Sequence, residues 1–379
     1  MSLKQGHWAH GLAAGRYSFV YADLQMVDQS MTPDRLWRRL LTLMQRHCGD
    51  QRVTETVTAL VEQDQLDAFD LDELFHEVDD NGHHVVFLLD EFERVTANTN
   101  FGPDFYYGLR SLMISHRVAL VTSSRLELIE LCHNDAVKSS PFFNIFANIS
   151  LRMFSRVEFE QMVDRALAGT TVAFTEPEME SVVRLAGLHP YFLQVACHML
   201  YESYGRGLSP LGRQDFLAEG FRAEGIPHII DYWDNSGDYE KIVLTAAALL
   251  ERSAECSEGI SLRDLQQVFS RSEQWVERLV KRGLLMSADG RYRLFSSIAG
   301  PWILSQLTSE LSEEQSYHEW LTQHQAAVDR VTGKHGGQLR EMLPKIGARY
   351  RELIITWASD PQSVVAMLGL LKNVLSLVN

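Results

Sequence analysis

Two adjacent carboxylates, Asp90 and Glu91, close an apolar run that reads His84-Val85-Val86-Phe87-Leu88-Leu89. A short unbroken run of β-branched and large apolar residues is the pattern of a strand in a parallel sheet, and ligands of open α/β sheets sit at the carboxyl ends of such strands. At that position one carboxylate can hold Mg²⁺ while its neighbour orients or deprotonates a water. The partner this chemistry needs is a phosphate cradle, in which backbone N–H groups and a lysine converge on phosphate oxygens. No G-x-x-x-x-G-K-[ST] segment occurs anywhere in the chain. The two glycine-containing segments nearest in character, Gly11 to Ser18 and Thr332 to Gly337, do not follow a buried strand at the required spacing.

Other chemistries are poorly supported. Cys48, Cys132, Cys197 and Cys256 lie far apart with no C-x-x-C pair, which argues for free buried thiols over a zinc site or a disulfide framework. His83-His84 enters a strand, so the two side chains point to opposite faces, and no other histidine cluster shows ligand spacing. No G-x-S-x-G elbow or Cys-His signature supports nucleophilic catalysis.

The elements that position the carboxylates follow from periodicity. Tyr17 to Leu24 is rich in β-formers and is expected to be a strand ending at Asp23. A helix from Thr32 to His47 follows, with Thr32 as N-cap, Pro33 at the first helical position and Leu36, Leu40, Leu43 and Met44 on one face. The acidic stretch from Glu62 to Asp80 carries Leu66, Phe69, Leu71, Leu74 and Phe75 at amphipathic spacing. A helix over Phe105 to Ile114 precedes a buried strand, Arg117 to Arg125, that ends in Ser123-Ser124-Arg125; Phe146 to Leu151 is read as a further short strand before a helix at Arg156 to Ala168. Strands separated by helices imply right-handed crossovers and a parallel sheet covered on both faces.

Beyond Thr170 helices dominate, over Glu176 to Leu188 and Pro190 to Tyr204, and an irregular bridge containing Gly220, Gly225, Pro227 and Gly237 is expected to hold a domain boundary. Helices over Lys241 to Arg252, Ser261 to Phe269 and Ser272 to Arg282 then precede two short strands joined at Asp289-Gly290, a hairpin signal; three helices and a hairpin make a winged helix-turn-helix. Residues 301–379 read as a helical bundle in which Val364, Leu368, Leu371 and Leu375 recur on one face. The expected domains are therefore 1–169, 170–238, 239–300 and 301–379.

The chain is acidic, with a formal net charge of -15 and a sequence pI near 5.4. That opposes binding a polyanion over the whole surface, because such binding relies on neutralising phosphates. No apolar stretch reaches membrane-spanning length and no secretory signal pattern opens the chain, so a cytoplasmic protein without a membrane partner is expected. No feature sets an oligomeric state.

The order of these motifs resembles the AAA+/STAND group of P-loop ATPases, in particular the bacterial and archaeal AAA-like proteins with a winged helix after the ATPase core. The resemblance spans roughly residues 2 to 308. Val85 to Glu91 looks like the Walker B strand, Val118 to Arg125 like the sensor 1 strand, and Ala186-Gly187-Leu188-His189-Pro190-Tyr191-Phe192-Leu193-Gln194 like the G-x-H-P-Y-x-L-Q signature of the helical lid. It implies an α/β, P-loop NTPase-like core, then a helical lid, a winged helix-turn-helix and a carboxyl-terminal helical bundle. The implied cofactors are ATP and Mg²⁺, with Asp90 as the metal ligand, Glu91 polarising water, Ser124 and Arg125 near the γ-phosphate, and His189 and Pro190 near the adenine. Met1 to Ala14 has the length and place of the helix after a P-loop, so Ser2-Leu3 aligns with the end of that motif and the core is expected to be amino-terminally truncated. ATP affinity is then expected to be weak or absent and hydrolysis negligible.

Three functions follow: a nucleotide-linked regulatory switch, a DNA-binding regulator using the winged helix, or a nucleotide-independent module that docks a protein partner. For DNA the candidate contacts are Arg271, Arg278, Lys281 and Arg282 on the recognition helix and Arg291 and Arg293 on the wing, opposed by Glu273, Glu277 and Asp289. A winged helix used only for packing fits the acidic chain better. The simpler alternatives for the other motifs are a strand end solvated by carboxylates, a surface arginine, and a histidine at a helix start.

Overall fold

The computed structural model describes residues 16–48, 50–125, 127–132, 135–252, 259–307, 314–331 and 333–375. The segment Met1 to Ala14, including Ser2-Leu3, most of Gly11 to Ser18, and Cys256 lie outside these residues. The chain forms two compact units that meet at Ile149 and Ser150.

The first unit is a parallel sheet of β1 (Tyr17–Asp23), β2 (His84–Asp90) and β3 (Val118–Thr122), in the order β1-β2-β3. The register pairs Asp23 with Asp90 and Leu89 with Thr122. Helices α1 (Pro33–Gln45), α2 (Gln51–Glu62) and α3 (Ala68–Asp80) lie between the first two strands, and α4 (Glu93–Thr96) and α5 (Pro103–Ser115) between the second and third; the short α6 (Asp135–Lys138) follows. Thr32 caps α1 with Pro33 behind it, as expected, and Asp67 caps α3 in a reciprocal pair with Asp70.

Val20, Ala22, Val85, Phe87, Leu89 and Val118 face the helices, where Trp37 and Phe75 meet Phe87 edge-on with ring centroids 6.0 and 6.3 Å away. The expectation of helices on both faces is corrected: among the described residues the helices pack on one face, and Tyr21 and Val121 on the other are 48% and 54% exposed. The order β1-β2-β3 advances in one direction, and successive right-handed crossovers in one direction fall on the same side. β3 is consequently half-exposed rather than buried. Three further corrections apply. Helix α2 escaped the sequence reading, Phe69 points outward at 82% exposure, and Phe146 to Leu151 forms no strand, with Ile149 and Leu151 exposed at the junction of the units.

The second unit contains α7 (Arg156–Leu167), α8 (Glu176–Ala186), α9 (Pro190–Gly205), α10 (Pro210–Asp234), α11 (Asp238–Arg252), β4 (Ile260–Ser261), α12 (Leu262–Val268), α13 (Glu273–Lys281), β5 (Leu285–Ala288), β6 (Arg291–Leu294), α14 (Ala299–Ser305), α15 (Glu314–Asp329), α16 (Gly333–Met342), α17 (Ala348–Ala358) and α18 (Val364–Leu375). One hydrophobic core runs from Phe159 to Leu375, so the segments expected as lid, hairpin domain and bundle share their interior. Val364, Leu368, Leu371 and Leu375 are buried in it, as their spacing requires, and so is Trp357, whose indole N–H donates to Val268 O at 2.7 Å.

The expected irregular bridge is instead the 25-residue helix α10, with Pro227 inside it. Its glycines serve close packing: a Cβ on Gly220 would stand 2.7 Å from Met199 Sδ, and one on Gly225 3.0 Å from Ile298 Cδ1. Residues 333–337, read as loop-like, open α16. The hairpin forms as its turn demands, with Asp289 and Gly290 at φ 51° and 73°, the paired positive values of a type I′ turn.

Candidate functional site

Asp90 is the last residue of the central strand. Ladder bonds hold its surroundings: Leu24 N donates to Asp90 O at 3.1 Å, Ser123 N to Leu89 O at 2.9 Å and Phe92 N to Ser123 O at 3.0 Å. Tyr21 OH donates to Asp90 Oδ2 at 3.2 Å, and the Ser123 hydroxyl donates to Asp90 Oδ1. Partial burial and the adjacent Asp90 carboxylate raise the Tyr21 phenol above its ordinary range. Asp90 and the two hydroxyls therefore meet at the carboxyl edge of the sheet, where Asp23 is the register partner of Asp90.

Glu91 leaves the strand through a left-handed conformation, φ 53°, which for a non-glycine residue costs on the order of 1–3 kcal/mol. The turn sets the Glu91 carboxylate 3.8 Å from the Arg125 guanidinium and 3.6 Å from that of Arg94. Arg125 also stands 3.8 Å from Glu93, and its backbone N–H donates to the same Glu93 oxygen at 3.4 Å. Glu91 Oε2 and Glu93 Oε2 are buried without a hydrogen-bond partner, since the 3.6 Å approach of Arg94 is an ion pair beyond hydrogen-bond reach. Buried carboxylate oxygens without partners are uncommon, and these two belong to residues just after Asp90 in the chain. No described residue supplies a lysine-bearing phosphate loop beside them.

Of the residues expected here, Asp90, Glu91 and Arg125 come together. Beside Tyr21, the serine whose hydroxyl donates to Asp90 is Ser123, one residue before the expected Ser124. Tyr21, Ser123 and Glu93 were not singled out from sequence. Strand parity could have found the first two, because Tyr21 pairs with Leu88 and Val121 with Leu88, placing alternate residues of all three strands on Asp90's face.

His189 and Pro190 belong to the second unit. Pro190 opens α9, where its fixed φ suits the first helical position. The His189 ring lies among Phe192, Tyr232 and Phe295, with centroids 5.1, 5.8 and 5.9 Å away, and its Nδ1 is buried without a partner. Burial, with the nearby His228, pushes its pKa down to about 4, so the ring is neutral at physiological pH. The same motif ties α8 to the hairpin: Ser296 Oγ donates to Leu185 O at 2.6 Å, and the Phe295 carbonyl sits against Gly187.

The candidate nucleic-acid contacts are largely committed inside the unit. Arg282 is 11% exposed and donates to Glu240 Oε2 at 2.8 Å, and Arg278 Nε stands 3.2 Å from Glu240 Oε1. The Arg271 guanidinium lies over the rings of Tyr239 and Phe269 at 5.3 and 5.9 Å, and Arg291 donates to Gly259 O at 3.1 Å. Of these candidate contacts, the fold turns Arg282 and Arg278 toward a buried carboxylate.

The parallel sheet with an acidic central-strand terminus, followed by a mostly helical unit, is similar in fold to a Walker-type ATPase, and part of the chain matches a STAND NTPase family. Residues 62–211, less than half of the chain, match the family described as Novel STAND NTPase 2. Among solved structures, the Walker-type ATPase PABY2304 of Pyrococcus abyssi is similar at a TM-score of 0.50 and 14% identity, covering 76% of this chain and 84% of that one. The Aeropyrum pernix ORC2 protein, solved as ADPNP–ADP complexes, follows at 0.47 and 14%, covering 77% and 78%. These likenesses are of fold. No curated protein matches the chain in sequence.

Proposed function

We propose that the chain is a regulatory switch built on an ATPase fold, in which Asp90 holds Mg²⁺, Glu91 faces the water position and Arg125 senses the terminal phosphate. The observation that carries this reading is the convergence of Asp90, Ser123 and Tyr21 at the carboxyl end of the central strand, beside Glu91 and Glu93 oxygens that lack hydrogen-bond partners. Arg125 now spends its charge on Glu91 and Glu93. An arriving phosphate competes for it, and that exchange of partners is a means of coupling nucleotide to conformation. Without a G-x-x-x-x-G-K-[ST] segment the chain binds nucleotide weakly by itself.

The test uses Tb³⁺ as a luminescent stand-in for Mg²⁺, excited through the aromatic side chains. Saturable emission competed by Mg²⁺ and reduced at least tenfold by Asp90→Asn is expected; emission unchanged in that variant sinks the metal assignment. Titration calorimetry of the same chain with MgATP is expected to show a Kd no tighter than about 1 mM, or about -4 kcal/mol. Micromolar binding overturns the weak-affinity part.

We read residues 239–300 as a winged helix-turn-helix between a helical lid and a bundle, used for packing or protein contact. The inward commitment of Arg278 and Arg282 to Glu240 supports this over DNA binding. In a gel-shift assay at low salt the chain is expected to leave duplex DNA unshifted at micromolar concentration. A salt-sensitive shift that disappears in Lys281→Glu and Arg291→Glu, substitutions that spare Glu240, gives the DNA reading instead.

A further inference from the structure

At the end of the sheet opposite Asp90, α3 and the residue before β3 bring together side chains to which no role has been given. Asp72 and His76 stand four residues apart on one face of α3, a spacing at which two side chains can share one ion. His116, the C-cap of α5, meets them: its Nε2 lies 2.8 Å from Asp72 Oδ1, and the rings of His76 and His116 stand edge to face with centroids 4.6 Å apart. The Asp72, His76 and His116 ligand atoms all lie within 4.8 Å of one another. This cluster corrects the sequence reading that no histidine group has ligand spacing, because His116 joins only through the fold.

A second observation points the same way. His116 Nδ1 lies 2.9 Å from Asp79 Oδ2, and Asp79 is itself held by the Arg117 backbone N–H, which donates to its other oxygen at 2.8 Å. A carboxylate that accepts from one ring nitrogen fixes the tautomer and turns the other nitrogen, as a base, toward a metal; histidine ligands almost always have such a partner. The His116 side chain is fully buried, so its orientation is set by packing, whereas Asp72 and His76 are 48% and 68% exposed and free to adjust. Bonds of about 2.0–2.1 Å to a tetrahedral ion require ligand atoms about 3.3 Å apart, so atoms now within 4.8 Å close by at most about 1.5 Å through rotation of the exposed His76, and Asp72 Oδ1 draws back slightly from its 2.8 Å contact with His116.

We propose that Asp72, His76 and His116 form a site for a divalent transition-metal cation of the Zn²⁺ class, with Asp79 as the positioning residue behind His116. Two imidazoles and one carboxylate suit zinc better than magnesium or calcium, which prefer all-oxygen sets. The fourth position faces solvent, where water completes the tetrahedron. The ion clips α3 to the entrance of β3. A metal at His116 Nε2 replaces the contact of that nitrogen with Asp72 Oδ1, while Nδ1 keeps its contact with Asp79.

The full chain is titrated with ZnCl₂ against a chromophoric chelator at neutral pH. One Zn²⁺ per chain is expected, with affinity at least tenfold weaker in His76→Ala and about 10–100-fold weaker in Asp79→Asn. Asp90→Asn, at the other end of the strands, is expected to bind zinc like the unsubstituted chain. The exposed His76 can be removed without unfolding α3, which circular dichroism checks. Failure to bind stoichiometric zinc, equal affinity in His76→Ala, or loss of binding in Asp90→Asn each overturns the proposal.

Discussion

Gly187→Ala is expected to destabilise the second unit by about 4 kcal/mol, lowering its melting temperature by roughly 8–16 °C for a unit of this size. Gly187 follows α8 with φ 61° and ψ -143°, a region that essentially only glycine enters. Its N–H closes the helix by donating to Val183 O at 2.8 Å. A Cβ there would stand 1.9 Å from the Phe295 carbonyl oxygen, a backbone atom that cannot swing away. Conformational strain and collision act together, and the collision separates α8 from the segment that follows the hairpin. Gly169→Ala is the control, since Gly169 has φ 81° but open space around it. It should show the strain alone, about 1 kcal/mol. Equal losses in the two variants, read by differential scanning calorimetry, would contradict the clash. The result bears on function because His189 and Pro190 follow within the same turn, so whatever reaches that motif acts directly on the hairpin's anchorage.

The second large effect is expected at Glu240, where substitution by alanine should cost about 3–5 kcal/mol in chemical denaturation. Its side chain is 3% exposed and serves three partners: Arg282 at 2.8 Å, Arg278 at 3.2 Å and the Gly237 backbone N–H at 2.9 Å. Glu240 Oε1 and Arg278 Nε approach without hydrogen-bond alignment, so the contact with Arg282 is the stronger. Removing the carboxylate leaves the nearly buried Arg282 uncompensated, and the penalty comes chiefly from that stranded charge. Replacing both residues, as in Glu240→Ala with Arg282→Met, should recover much of the loss, a coupling that a double-mutant cycle reads directly. A loss below about 1 kcal/mol in the single variant would mean that Arg282 reaches solvent easily, and would return it to the residues available for phosphate contact.

What was legible in advance depended on whether a signal is local. Thr32-Pro33 opening α1, Asp289-Gly290 turning the hairpin, and the apolar run ending in Asp90-Glu91 all formed as read, because caps, turns and buried strands are specified by neighbours in the chain. Gly220, Gly225 and Pro227 misled for the opposite reason. Their types signal a break, but here the glycines admit Met199, Ile298 and Phe192 against a continuous helix, and that packing outweighs local preference. The aromatic and aliphatic residues of the expected lid, hairpin domain and bundle could be assigned to faces, but not to the single core they share.

By itself the sequence determined the caps, the hairpin turn and the three strands of the sheet with the acidic terminus of the central one. Each of these is a property of a contiguous segment. Only the tertiary structure decided which hydroxyls hold Asp90, that Glu240 takes up two of the candidate nucleic-acid contacts, and that His116 joins Asp72, His76 and Asp79. Those groups lie between 33 and 69 residues apart for Asp90 and its two hydroxyl partners, and 37 to 44 apart for His116 and its aspartates. At such separations the chain's local geometry carries no information about distance; register, helix face and packing set it.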